Sequence, residues 1–243
     1  MVLVTGILTG GACYHLSNTL SNEITRSGVL YFLVIIYTLL PFTSLSLFIY
    51  DRQFYSKEVA AKLYSSMPYY LANMTVETIF NGANVLVSGT IAYYMIDLGN
   101  SFANSGEQYG VFIGIIVLLH IVASQWVQLC GLMMPNQDMA FALGASYVVA
   151  EQLFAGFLIS SDNFTWLGFF QWIDFLKYAW NALMHNEFDS LDYNMDYRLS
   201  VLNTIKLNSP GDVWVDALAL LGFWLVFHVL GFLSLHFLHR EQR

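Results

Sequence analysis

The sequence predicts an all-α integral membrane protein: a six-span helical bundle whose first span is truncated, with an interfacial helical segment and a small cap in its last outer loop. Three observations predict it. Of 243 residues, 57% are hydrophobic and only 11% charged, where soluble domains carry roughly 25% charged residues. Apolar runs long enough to cross a hydrocarbon core, about 20 residues in a helix, recur along the chain. The nine Lys and Arg residues fall almost entirely between those runs.

Residues 1–16 are apolar but short, without the basic leader or small-residue cleavage site of a signal peptide. They read as the end of a first span that starts upstream, a genuine short N-terminus being the alternative. Residues 28–50 form an uncharged second span, with Pro41 as a kink. Residues 51–73 are the most charged short segment, and residues 75–98 make the third span, with Glu77 near its start. Residues 109–134 and 140–159 are the fourth and fifth spans, and Glu151 lies near the middle of the fifth. Residues 217–238 are the sixth span. Between the last two, residues 160–216 form a long loop. Its aromatic part, residues 166–182, is too interrupted by polar groups to cross a bilayer. Trp and Tyr favour the headgroup layer, so helices lying at the interface or dipping into it are expected. Residues 185–212 read as a water-facing cap.

The net charge of −8 comes largely from acids in this late loop, and no basic patch exists to attract nucleic acid. Cys13 and Cys130 both lie in apolar runs, which gives no disulfide framework. Short-loop charges set orientation. With cytosolic N- and C-termini, Arg52, Lys57, Lys62, Arg240 and Arg243 lie inside and the long loop outside. Asn163-Phe164-Thr165 on that outer side is a glycosylation sequon, consistent with a eukaryotic plasma or organelle membrane. Asn73-Met74-Thr75 also matches, on the inner side.

The chain carries no G-x-x-x-x-G-K-[ST] phosphate loop, no H-E-x-x-H and no sequence support for a Ser/His/Asp set, so no catalytic or metal site is expected. His120 and His228 read as hydrogen-bonded packing residues. Glu151 and Glu77 are costly in hydrocarbon and are expected to face the bundle interior or an aqueous cavity. An ion-coupled transporter or channel using these two carboxyls is the alternative function. Gly6 with Gly10, and Gly110 with Gly114, permit close helix approach.

Two segments carry a resemblance. Asp51-Arg52-Gln53-Phe54-Tyr55-Ser56-Lys57-Glu58, followed by Tyr64 and Tyr70-Leu71-Ala72, resembles the stretch after the second span of ABCG (White-type) half-transporters. Phe154-Ala155-Gly156-Phe157, then Lys177-Tyr178, Ala182-Leu183 and Asn186-Glu187-Phe188, is similar to that family's F-x-G-F and [KR]-Y-x-x-x-A-L-x-x-N-E-F signatures. The likeness covers nearly the whole chain.

It implies a type-2 ABC exporter membrane domain working as a homo- or heterodimer of half-transporters, with ATP and Mg2+ on a nucleotide-binding domain outside this chain. It further implies that Arg52, Phe54, Lys57, Glu58 and Tyr64 couple to that domain. Ile36, Leu39, Val148, Val149 and Gln152 would line an alternating-access path for a lipid, sterol or other amphipathic small molecule, and Phe157 and Leu158 would plug its outer exit. The same positions also suit ordinary helix packing. The chain departs from the family in having no cysteine in the last outer loop and Phe175-Leu176 where a Pro precedes the [KR]-Y pair.

Overall fold

The computed structural model describes residues 2–14, 23–61, 63–98, 106–157, 168–188 and 213–238. Leu158, Asn163, Lys62 and residues 189–212 of the expected cap lie outside the described residues. The described residues form eight α-helices: α1 (Val2–Ala12), α2 (Glu23–Leu39), α3 (Leu45–Ala60), α4 (Ser66–Ile96), α5 (Gly106–Met133), α6 (Gln137–Phe154), α7 (Phe175–Phe188) and α8 (Val213–Leu238). Short 3-10 turns occupy Leu40–Ser44 and Gly168–Trp172. No strand occurs among the described residues. Among the same residues, four stretches are long and apolar enough to cross a membrane: Thr25–Val59, Ser66–Ile96, Gly106–Met133 and Val213–His236. The first joins α2 to α3. The other two expected spans fall outside this set: α1 is only 11 residues long, and α6 holds Gln137, Asp138, Glu151 and Gln152 within its 18 residues.

Pro41 breaks the second span as its chemistry requires, since proline has no N–H to continue the helical ladder. The chain answers with a 3-10 turn over Leu40–Ser44. The hydroxyls of Thr43 and Ser44 donate to the carbonyls of Leu40 and Pro41, at 2.8 and 2.7 Å, which satisfies backbone groups that lipid would leave bare. Helix α3 then runs on to Ala60, so Arg52, Phe54, Lys57 and Glu58 stand on a helix rather than in a loop. Helix α4 begins nine residues before the expected third span. Pro68 sits in its first turn, where a missing N–H costs little.

Helix α5 is the centre of the bundle, with α2, α3, α4, α6, α7 and α8 packed around it. Its Phe112, Ile116, Leu119 and Val122 are buried against Leu30, Leu33 and Tyr37 of α2 and Trp180 and Phe188 of α7. Two buried polar side chains on α5 find partners inside, while Ser124 and Gln128 are buried without a hydrogen-bond partner. His120 Nδ1 donates to the Tyr37 carbonyl at 2.8 Å, and Gln125 Nε2 donates to Met74 Sδ at 3.2 Å. Helix α1 lies so close to α4 that a Cβ on Gly6 would stand 2.6 Å from the Ser88 carbonyl oxygen. Gly10 is equally confined by Met95, whereas Gly110 and Gly114 face open space.

The aromatic loop segment is not a surface helix. Helix α7 is inserted among α2, α5, α6 and α8, with Phe175, Trp180 and Phe188 all buried. Outward, α8 presents Trp214, Leu218, Leu225 and Val229, a face that only an apolar solvent tolerates. The chain is an integral membrane protein.

Candidate functional site

Two polar assemblies stand toward opposite ends of α5, a helix about 42 Å long at 1.5 Å of rise per residue over its 28 residues. At the C-terminal end of α5 is a corner built from α3 and the start of α4. The last carbonyls of a helix have no partner within it and carry its negative pole. Arg52 supplies both needs. Its Nη1 donates to Gly131 O at 2.6 Å and Met134 O at 2.5 Å, and its Nη2 to Pro135 O at 2.9 Å. Arg52 is thus an internal cap of α5 and fixes α3 to it.

Beyond that cap, Phe54 and Lys57 are exposed, with Lys57 Nζ 5.8 Å from the Phe54 ring centroid. Glu58 accepts a hydrogen bond from Tyr64 Oη. Tyr64 stacks on Tyr69 at 5.7 Å between centroids, and Tyr69 meets Tyr55 at 4.6 Å. The three tyrosines fold the chain back at the α3–α4 corner. Of these only Tyr64 was marked in the sequence.

Toward the other end, α6 terminates in Ala155 and Gly156. Gly156 has φ +98°, a backbone state that glycine alone adopts without strain. This turn aims Phe157 back at the bundle. Its ring stacks on Tyr31 of α2 at 4.5 Å and meets Trp180 of α7 edge-on at 5.7 Å. Tyr31 Oη donates to the Gln152 carbonyl at 2.6 Å, which ties α2 to α6. Of the expected path residues, Val149 is 57% and Leu39 42% exposed. Ile36 and Gln152 are half-buried. Val148, at 1% exposure, is turned into the core of its own subunit.

Two groups of buried charged side chains follow, the first at this end and the second nearer the middle of α5, where Tyr147, one turn from Glu151, packs on Trp126 at 4.4 Å between centroids. Arg26 of α2, 1% exposed, pairs with Glu187 of α7 and donates through Nη2 to Asp97 O at 2.6 Å. Asp97 caps α4 in a left-handed conformation. One guanidinium therefore joins α2, α4 and α7. The sequence shows Arg26 only as a loop charge. The available signal was a lone cation ahead of one apolar run and the acid of the N-E-F signature on the same expected side.

The second group surrounds Glu151. Its Oε1 accepts the Phe175 N–H at 3.2 Å, while Asp174 Oδ1 accepts the Lys177 N–H at 3.0 Å. Burial raises the pKa of Asp174, against the opposing N–H groups of Lys177 and Leu176 and the Lys177 charge. Burial lowers that of Lys177, against the acids Asp174 and Asp216. Glu77 belongs elsewhere: it lies toward the N-terminal end of α4, and the acid that bears on it is Asp51. The two intramembrane carboxyls thus have different neighbours.

A family profile described as "ABC-2 type transporter" matches residues 1–188. "ABC transporter G family member 22" of Dictyostelium discoideum is 33% identical over all of this chain, which covers 40% of that protein. "ABC transporter G family member 1" of Petunia hybrida is 23% identical over 95% of the chain and 36% of its own length. A "Probable ATP-dependent permease" of Saccharomyces cerevisiae is 24% identical over the whole chain and 24% of its own length. The chain spans well under half the length of these relatives.

Proposed function

Since this chain belongs to the ABC-2 type transporter family, as a membrane domain of the ABC transporter G kind, we propose that it is the permease half of an ATP-driven exporter of amphipathic small molecules such as lipids or sterols. The observation that carries this reading is the likeness to G family transporters along the whole chain. The two ends of α5 then take different roles. The corner of Phe54, Lys57, Glu58 and Tyr64 rests on a nucleotide-binding domain at the cytosolic face, where ATP and Mg2+ bind. The chain's termini lie on that face too. Arg52 is a positioning residue here: it transmits the tilt of α3 to α5 because it grips three carbonyls of α5 and the turn after it.

Two half-transporters, alike or different, face each other across α2 and α6. Leu39 and Val149, the exposed members of the expected path, offer the apolar wall of a slot between them, flanked by Ile36 and Gln152. Such a slot binds flat or lipid-like molecules by burial, at roughly 25 cal/mol per Å2. Phe157 closes the outer exit, held by Tyr31 and Trp180 until α2 and α6 rotate apart. Leu158 continues that plug, and Asn163 beyond it faces the side where glycans are added.

Glu58→Ala in the complete transporter, reconstituted in proteoliposomes, tests the coupling. Transport should fall by an order of magnitude while ATP turnover persists and membrane insertion is unchanged. Transport at the wild-type rate per ATP would remove the coupling role.

A further inference from the structure

Glu151 and Asp174 are both buried at 1% exposure. One oxygen of each takes a backbone N–H from the first turn of α7, on Phe175 and Lys177. The other oxygens, Glu151 Oε2 and Asp174 Oδ2, are buried without a hydrogen-bond partner. The Tyr147 hydroxyl spends its single hydrogen on Ile173 O, at 2.5 Å, so it has none to give to Glu151. An ionised carboxylate is acceptor-only, whereas a protonated one carries its own donor.

Charge counting leads to the same place. Among the described residues, the titratable groups around the pair are Tyr147 on α6, Tyr31 on α2, Lys177 and Tyr178 on α7, and Asp216 on α8. Lys177 is the cation among them. It is shared between Asp174 and Asp216, with its Nζ 3.4 Å from Gln171 Oε1 and 5.3 Å from the Trp172 ring centroid. With Glu151 and Asp174 both ionised, two negative charges would stand together in a buried site beside one shared ammonium. The N-terminal pole of α7 favours an anion by roughly half a charge, which suits one of the carboxylates and not both. Neighbouring buried carboxyls resolve such a conflict by retaining a proton between them.

We propose that Glu151 and Asp174 form a proton-binding site that clasps α7 to α6, the proton resting on Glu151. Asp174 stays ionised as the N-terminal cap of α7, beside Lys177. When the proton leaves for water, the Glu151 O–H bond breaks, two carboxylates face each other and the clasp loosens. The clasp adjoins the turn that carries Phe157, and α7 carries Trp180 against that ring. Its influence on the exit rests on the plug assignment proposed above; the proton site itself does not.

The test uses the complete transporter in lipid nanodiscs without nucleotide, so that a failure of ATP coupling does not affect the result. Infrared spectra at neutral pH, compared between wild type and Glu151→Gln, should show a protonated-carboxyl C=O band only in the wild type. That band should disappear as pH rises, and at lower pH in Asp174→Asn, where the opposing charge is gone. Amide protection factors over residues 175–188, corrected for the intrinsic pH dependence of exchange, should fall with pH in the wild type and stay constant in Glu151→Gln, whose amide N–H replaces the held proton. Absence of the band from the wild-type difference spectrum overturns the site. A fall in α7 protection that is equal in wild type and Glu151→Gln overturns the clasp.

Discussion

The two ends of α5 use arginine in opposite ways. At the corner, half-buried Arg52 spends its donors on backbone carbonyls, so it holds α3 to α5 whatever side chains the neighbours carry. At the far end, fully buried Arg26 pairs with the carboxylate of Glu187, an arrangement that works only while both charges remain. The difference teaches which end can move as a rigid lever and which can be unlocked. A backbone-capped corner passes on motion. A buried ion pair is a joint that holds when closed and is costly when half-made.

Breaking the comparison should follow that order. Arg26→Ala leaves Glu187 buried without its cation and should cost about 3–5 kcal/mol, read as a large fall in the thermal unfolding midpoint of the complete protein in lipid. Arg26→Lys should recover only part, because an ammonium cannot span Glu187 and Asp97 O with a planar fork. Arg52→Ala removes charge-assisted bonds from a half-exposed site and should cost less, about 1.5 kcal/mol. Its larger signature should be weaker coupling of ATP turnover to transport. Gly156→Ala should cost about 1–2 kcal/mol through its positive φ. It should also raise basal ATP turnover by displacing Phe157 from Tyr31 and Trp180. Unchanged turnover would separate the turn from the plug.

Much of the bundle was legible in the sequence because lipid imposes a simple rule of long apolar runs bounded by charges. The Pro41 break and the close helix approach at Gly6 and Gly10 followed from local chemistry. The helical start of α4 was hidden by the charges just before it. What stayed illegible was pairing across distance. Arg26 meets Glu187 161 residues away, and Arg52 meets carbonyls 79 to 83 residues away. Glu151 appeared to lack a second carboxyl because Asp174 sits beyond a turn, in the aromatic segment expected near the interface. Only the insertion of α7 brings them together. Of the path residues, Val148 shows why a local match is not a geometry: one step along α6 separates its buried side chain from exposed Val149.

The account depends on the corner and α7 lying across a bilayer from each other. Single cysteines replacing exposed Lys57 and exposed Trp172, in a background without the native cysteines, test this with a membrane-impermeant thiol reagent applied to sealed cells. Lys57→Cys should be protected until the membrane is opened, and Trp172→Cys should react from outside. Labelling of both from one side would contradict it.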